Sequence, residues 1–98
     1  MAEGMAYELR YSDEAVEQLR KLRAVDRSLV LEKIESLLLA RPKQVSKVSI
    51  KLLKQPAPTQ YRMRAGEFRV FYDVDEGVVW IIQILSKQAS IEYLGRNP

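Results

Sequence analysis

The chain has 98 residues, no cysteine, no histidine and a formal net charge of +3. That length allows one modest core, read here as a single domain over residues 1–98, in which Met1 to Gly4 is a leader or an artificial remnant and Met5-Ala6 the natural start. Absent cysteine excludes a disulfide framework and thiolate zinc sites and fits a reducing cytoplasm, while absent histidine leaves any acid–base chemistry to Lys, Arg, Tyr, Asp or Glu. No apolar run approaches the roughly 20 residues of a membrane span, and the N-terminus lacks the basic and apolar regions of a signal peptide. A soluble, cytoplasmic protein without membrane contact is the expectation.

The first predicted element is a short strand over Ala6 to Tyr11. Ser12 is a plausible N-cap, followed by Asp13 and Glu14 in the first turn, where the helix dipole favours anions. Ala15, Val16, Leu19 and Leu22 then recur at helical spacing. A second helix is expected to start near Asp26, to carry Val30, Ile34, Leu37 and Leu38 inward, and to stop near Arg41, because Pro42 disfavours helical geometry in the residue before it. These two helices form a hairpin. From Ser36 to Gly66 the chain then carries Arg41, Lys43, Lys47, Lys51, Lys54, Arg62 and Arg64 with no Asp or Glu. Such a run is either a polyanion footprint or a solvated lysine-rich surface. Within it, Ile50 to Leu53 suggests a short edge strand, and Pro56 and Pro58 mark a loop.

Tyr61 to Tyr72 reads as a tight β-hairpin. With Ala65-Gly66 as a two-residue turn, Arg64 would pair with Glu67 and Arg62 with Arg69. Alternation sends Tyr61, Met63, Phe68, Val70 and Tyr72 to the core face and the arginines to the other. Like charges opposite each other weaken a sheet, so the cluster implies an anion, read as phosphate. A second turn at Asp75-Glu76-Gly77, with Gly77 left-handed, leads into Val78 to Leu85, apolar on both faces and therefore central. A three-residue loop there places Gln83 beside Arg69, while Trp80 is assigned to the core. Lys87 and Tyr93 come off the end of this strand, with Ser90 as a possible N-cap for a terminal helix.

The expected fold is therefore α+β in the order β-α-α-β-β-β, with the helical hairpin on one face of a small, mainly antiparallel sheet and a short C-terminal helix or tail. The other face would carry Arg62, Arg64, Glu67, Arg69, Phe71 and Gln83. Cations with an aromatic ring suit single-stranded RNA, since arginines hold phosphates and a ring stacks on a base. Lys47, Lys51, Lys54, Phe71 and Gln83 are the candidate RNA contacts.

The opening strand, the helical hairpin and above all Tyr61-Arg62-Met63-Arg64-Ala65-Gly66-Glu67-Phe68-Arg69-Val70-Phe71-Tyr72, with the apolar strand after it, resemble the RelE-type toxins of bacterial toxin–antitoxin modules, within the broader RelE/ParE group. The resemblance implies a ribosome-dependent endoribonuclease that cuts messenger RNA in the decoding site by attack of the 2′-hydroxyl on the adjacent phosphorus, with no metal or other cofactor. It also implies a cognate antitoxin, with operator DNA bound only through the toxin–antitoxin complex. The family's site residues fall on Arg62, Arg64, Arg69, Lys87 and Tyr93. Where relatives often have lysines, this chain has Arg62 and Arg64, which stay protonated; Lys87 stands where an arginine is common and is read as the proton-transfer group.

Bland readings stand beside these. Arg69 could pair with Asp73 or near Glu67 on a solvated face, Lys87 could be an ordinary exposed lysine, and Tyr93 could anchor the last turn. Two other functions share the pattern: a ParE-like inhibitor of DNA gyrase acting without catalysis, and a non-catalytic RNA-binding or interaction module.

Overall fold

The computed structural model describes residues 6–96; Met1 to Gly4, read above as a leader, lie outside the described residues. Strand β1 (Glu8–Tyr11) is followed by helices α1 (Asp13–Lys21) and α2 (Ala24–Leu38), strands β2 (Ile50–Leu52), β3 (Tyr61–Ala65), β4 (Phe68–Asp75) and β5 (Val78–Ser86), and helix α3 (Lys87–Arg96). The architecture is α+β, with one five-stranded sheet in the order β1-β5-β4-β3-β2. Only β1 runs parallel to its neighbour, β5. Strand β5 is thus interior, as its two-sided apolar sequence requires, and β2 is an edge.

Helix α1 starts where its cap dictates. The Ser12 hydroxyl oxygen accepts from the Ala15 N–H at 3.0 Å, with Asp13 and Glu14 in the first turn and Arg20 and Lys21 in the last. Both charge placements complement the helix dipole. Its C-terminal carbonyls are closed by Arg27 of α2, which donates to Leu19 O at 2.9 Å, Leu22 O at 2.7 Å and Arg20 O at 3.3 Å. Helix α2 begins at Ala24, two residues before the expected start. Arg23 at its N-cap makes no side-chain cap bond, and Asp26 instead serves the first turn by accepting from Arg23 Nε at 3.1 Å.

Helix α1 also answers an edge problem. Strand β1 pairs β5 only as far as Ile81. Beyond that point Ser12 takes over, its N–H donating to Ile81 O at 2.9 Å and its hydroxyl to Ile82 O at 2.7 Å. Gln18 then accepts from the Ile84 N–H. Side chains of one helix thereby satisfy a strand edge that would otherwise invite pairing.

The core lies between the sheet and the helices and contains Ala15, Val30, Ile34, Leu38, Met63, Val70, Tyr72, Val79, Ile81 and Ile84, with Tyr61 and Phe68 packed against it. Each fully buried aliphatic side chain contributes about 2 kcal/mol. Tyr61 and Tyr72 stack as a cross-strand pair at 5.3 Å. The Tyr72 hydroxyl donates to Pro42 O at 2.6 Å, tying the segment after α2 to the sheet, and burial raises its pKa well above the phenolic value. Trp80 departs from expectation: it is 37% exposed on the opposite face, with the Arg10 guanidinium 5.5 Å from the ring centroid. Among the described residues no helix is long and apolar enough to cross a membrane.

Candidate functional site

The β3–β4 turn is Gly66-Glu67, one residue later than expected, because Gly66 takes the left-handed conformation at φ 62° and Ala65 stays in the ladder opposite Phe68. Arg64 therefore faces Arg69, and Arg62 faces Phe71, in place of the expected Arg64–Glu67 and Arg62–Arg69 pairs. Moving the turn by one residue changes both partners by two positions. Alternation survives, so Arg62, Arg64, Arg69 and Phe71 still share the face opposite the core.

That face is less open than expected. Arg69 is only 5% exposed, and its Nη1 donates to Gly66 O at 3.0 Å and Phe68 O at 2.9 Å. The guanidinium thus clamps the turn that presents it, and Asp73 is engaged elsewhere, accepting from the Gln60 N–H at 2.7 Å. Arg62 is half-buried, and its Nε lies buried without an acceptor among the described residues. Burial lowers the pKa of Arg62, and the nearby charges of Arg69 and Arg64 add to the effect. Burial likewise lowers that of Arg69, followed by Arg64, against a smaller opposing pull from Glu67. Guanidinium remains charged at neutral pH despite such shifts, so the site is a concentrated positive patch. Among the described residues none of these three arginines forms an ion pair.

Helix α3 completes the surroundings. Its N-terminus is docked on the hairpin through the Lys87 N–H, which donates to Glu67 O at 2.8 Å. This brings Lys87, exposed, to the turn that carries Arg64 and Arg69. The residue that caps α3 is Ser86, whose hydroxyl oxygen accepts from the Ala89 N–H at 3.1 Å. Ser90, the expected cap, is instead buried inside the helix and donates to Lys87 O at 2.7 Å. Tyr93 folds back so that its ring meets Phe71 edge-on at 5.0 Å. Burial raises the pKa of Tyr93, with Asp73 and Glu14 adding to it.

Two expected RNA contacts change character. Phe71 is fully buried, in contact with Tyr93, and is not an open stacking platform. Gln83 faces Phe71 rather than Arg69, because the β4–β5 loop is the two residues Glu76 and Gly77, both at positive φ, and the register shifts between Phe71 and Tyr72. Its side-chain oxygen accepts from Gln18 Nε2 at 2.6 Å. Lys51 faces Arg62 across β2–β3, and Lys47, Lys51 and Arg62 line one cavity; Lys54 is exposed beyond β2 and does not line it. The role of Gln18 was missed, since a polar residue on an amphipathic helix carries no local sign of a partner 65 positions away. Among the described residues no cluster of His, Cys, Asp and Glu could hold a metal ion.

Known proteins share this fold. The chain has the fold of the RelE toxins: it matches an archaeal RelE–RelB complex from Pyrococcus horikoshii at 24% identity and TM-score 0.69, covering 85% of this chain and 97% of that one. A mutant of the E. coli RelE toxin in the free state matches at 23% identity and TM-score 0.68, covering 94% and 97%. A toxin–antitoxin complex from Mycobacterium tuberculosis matches at 24% identity and TM-score 0.65, covering 83% and 98%. No curated protein sequence matches the chain. The family model for the ParE toxin of the type II toxin–antitoxin system, parDE, matches residues 9–90. With most of its length under that match and its fold shared with RelE, the chain belongs to the ParE toxin family of type II toxin–antitoxin systems, within the RelE/ParE superfamily.

Proposed function

We propose that this toxin is a metal-independent endoribonuclease that cuts messenger RNA in the ribosomal A site. The observation that carries the reading is the convergence of Arg62, Arg64 and Arg69, unpaired by any carboxylate among the described residues, with Lys87 docked at the same turn. In the reaction the 2′-hydroxyl oxygen bonds to the adjacent phosphorus, the bond to the 5′-oxygen breaks, and a 2′,3′-cyclic phosphate and a 5′-hydroxyl result. The arginines hold the phosphate and stabilise the charge that grows on its oxygens, at roughly 3 kcal/mol per well-placed donor. Guanidinium cannot exchange a proton at neutral pH, so proton transfer falls to Lys87. Tyr93 orients the RNA from the helical side. With no imidazole in the chain, alignment by the ribosome supplies much of the rate.

A cognate antitoxin is the expected partner, since the RelE relatives from P. horikoshii and M. tuberculosis were solved as toxin–antitoxin complexes. An acidic, partly disordered antitoxin segment that folds on binding would cover the arginine face and lay an amphipathic helix on the α1–α2 hairpin. Operator DNA would be contacted only through that complex.

A second reading has its own support. The matching family model is that of ParE, and the buried Phe71 and clamped Arg69 leave fewer groups for RNA than an open sheet would. On that reading the toxin inhibits DNA gyrase by protein contact. Purified toxin with programmed ribosomes, cut sites mapped by primer extension and gyrase supercoiling assayed in parallel, separates the two. Ribosome-dependent cuts support the nuclease; equal cleavage with and without ribosomes removes the A-site reading, and gyrase inhibition without cleavage selects the alternative.

A further inference from the structure

The cavity of about 340 Å³ beside the arginine cluster is lined by Ser46, Lys47, Val48, Ser49, Ile50, Lys51 and Arg62, with no acidic residue. Its walls are built rather than incidental. The Ser46 hydroxyl oxygen accepts from the Ser49 N–H at 2.9 Å, the Ser46 N–H donates to Ile50 O at 2.9 Å, and the Arg64 N–H donates to Ser49 O at 2.8 Å. These bonds fold 46–50 into a turn fastened to β3, and Lys47 of that turn and Lys51 of β2 line the cavity together with Arg62. Arg62 is shared. Arg62 lines this cavity while being close enough to Arg64 and Arg69 to feel their charge. Directly paired residues on neighbouring strands lie about 5 Å apart, and successive same-face residues about 7 Å. Cations therefore follow one another, Lys51 beside Arg62 and then Arg64 opposite Arg69, with Lys47 joining Lys51 and Arg62 at the cavity. The buried, unsatisfied Nε of Arg62 sits at the middle of that row. A half-buried guanidinium with neighbours of like charge is costly, and an anion held in the cavity that Arg62 lines would offset that charge.

We propose that this cavity is a second phosphate subsite, which holds the RNA backbone next to the scissile phosphodiester. The inference rests on the RNA reading of the arginine cluster and extends it to a flanking nucleotide. Val48, 68% exposed at the rim, offers apolar surface to the sugar, and Lys47 and Lys51 neutralise the phosphate. An RNA strand suits the row better than an acidic peptide because its charges repeat along one backbone, as the cations do.

The test is binding of a fluorescent single-stranded RNA of several nucleotides to the full chain over a range of salt, for the wild type, the double variant Lys47→Ala/Lys51→Ala, and Lys21→Ala as an exposed control at the end of α1. Single-strand binding loses about 0.7 in the slope of log K against log salt per phosphate contact, so the double variant is expected to flatten the slope by roughly 1 and to weaken binding about tenfold at low salt, while the control is unchanged. Circular dichroism confirms that each variant is folded. An unchanged slope in the double variant, or no RNA binding by the wild type at low salt, overturns the subsite. Weaker binding of polyglutamate with unaltered RNA binding would assign the cavity to an acidic polypeptide and also overturn it. The programmed-ribosome assay separates the two claims. A flattened slope without ribosomal cleavage keeps the subsite and removes the nuclease reading, whereas cleavage with an unchanged slope does the reverse.

Discussion

Replacing Arg64 by glutamine removes one member of a like-charged pair while keeping a long, hydrogen-bonding side chain. Arg64 is exposed and directly opposite Arg69, and its charge helps to lower the pKa of both Arg62 and Arg69. Its backbone N–H, which donates to Ser49 O at 2.8 Å, is untouched by the substitution. A like-charge pair facing across two strands costs a few tenths to about 1 kcal/mol, so relief of about 0.5 kcal/mol is expected. For a domain of this size that raises Tm by about 2–4 °C. The gain should shrink as salt rises, because the repulsion of an exposed charge is screened. Arg64→Lys keeps the charge and should give little of it. On the nuclease reading the same glutamine variant cleaves at least roughly tenfold more slowly, about 1.4 kcal/mol in barrier, because phosphate stabilisation is lost. Thermal unfolding at two salt concentrations and primer extension on programmed ribosomes read both effects. A lower Tm at low salt, or a gain indifferent to salt, refutes the repulsion argument. Full cleavage by the variant refutes the role assigned to Arg64.

Arg69→Ala should lower cleavage at least roughly tenfold, yet unlike an exposed arginine it should also destabilise the fold by about 1–2 kcal/mol, since two turn carbonyls lose their donor; urea unfolding measures the second effect. Lys87→Ala should lower cleavage similarly with little change in stability, and Lys87→Arg, which keeps charge without a readily released proton, should remain slow; full activity in the arginine variant excludes Lys87 from proton transfer. Tyr72→Phe leaves the buried Pro42 carbonyl without its donor and should cost about 1–3 kcal/mol by urea unfolding. The folded-state pKa values of Tyr11, Tyr72 and Tyr93 are all raised, so their stabilisation is fully present below the unfolded phenolic value of about 10 and is lost as pH climbs above it toward the folded values. Unfolding free energy should therefore fall steeply in alkali, and less steeply in Tyr72→Phe.

Elements whose signals are local were legible in the sequence. Ser12 with Asp13 and Glu14 specifies where α1 starts whatever surrounds it, and the two-sided apolar run of β5 demands an interior strand. Helix α2 began earlier than Asp26 suggested because Arg23 opens it with no side-chain cap bond, so no local signal marks its start. The first hairpin turn was displaced by one residue and the second was one residue shorter than expected. Gly66 and Gly77 each take a left-handed conformation, but composition does not say which neighbours join the turn; Glu67 and not Ala65 completes the first, and Asp75 stays in the ladder opposite Val78 in the second. The first displacement preserved the face on which the arginines lie and altered only their partners, which is why the cluster could be foreseen although its pairs could not.

What lay over that face was not legible, because alternation assigns a side chain to a face and is silent about what returns to cover it. Phe71 and Tyr93 meet because α3 leaves the sheet from the Lys87 N–H bond to Glu67 O and turns back with Ser90 buried beneath it. The helix shelters part of the arginine face: Tyr93 closes over Phe71 while Arg64 stays exposed. Partial cover also explains how three cations are tolerated side by side. Arg69 spends its guanidinium on the carbonyls of its own turn, Arg64 keeps its charge in water, and among the described residues Arg62 is left with a buried donor unanswered. The cost of the cluster is thus concentrated on Arg62, the residue that stands between the arginines of the hairpin and Lys47 and Lys51 at the cavity, where a bound phosphate would offset the gathered charge.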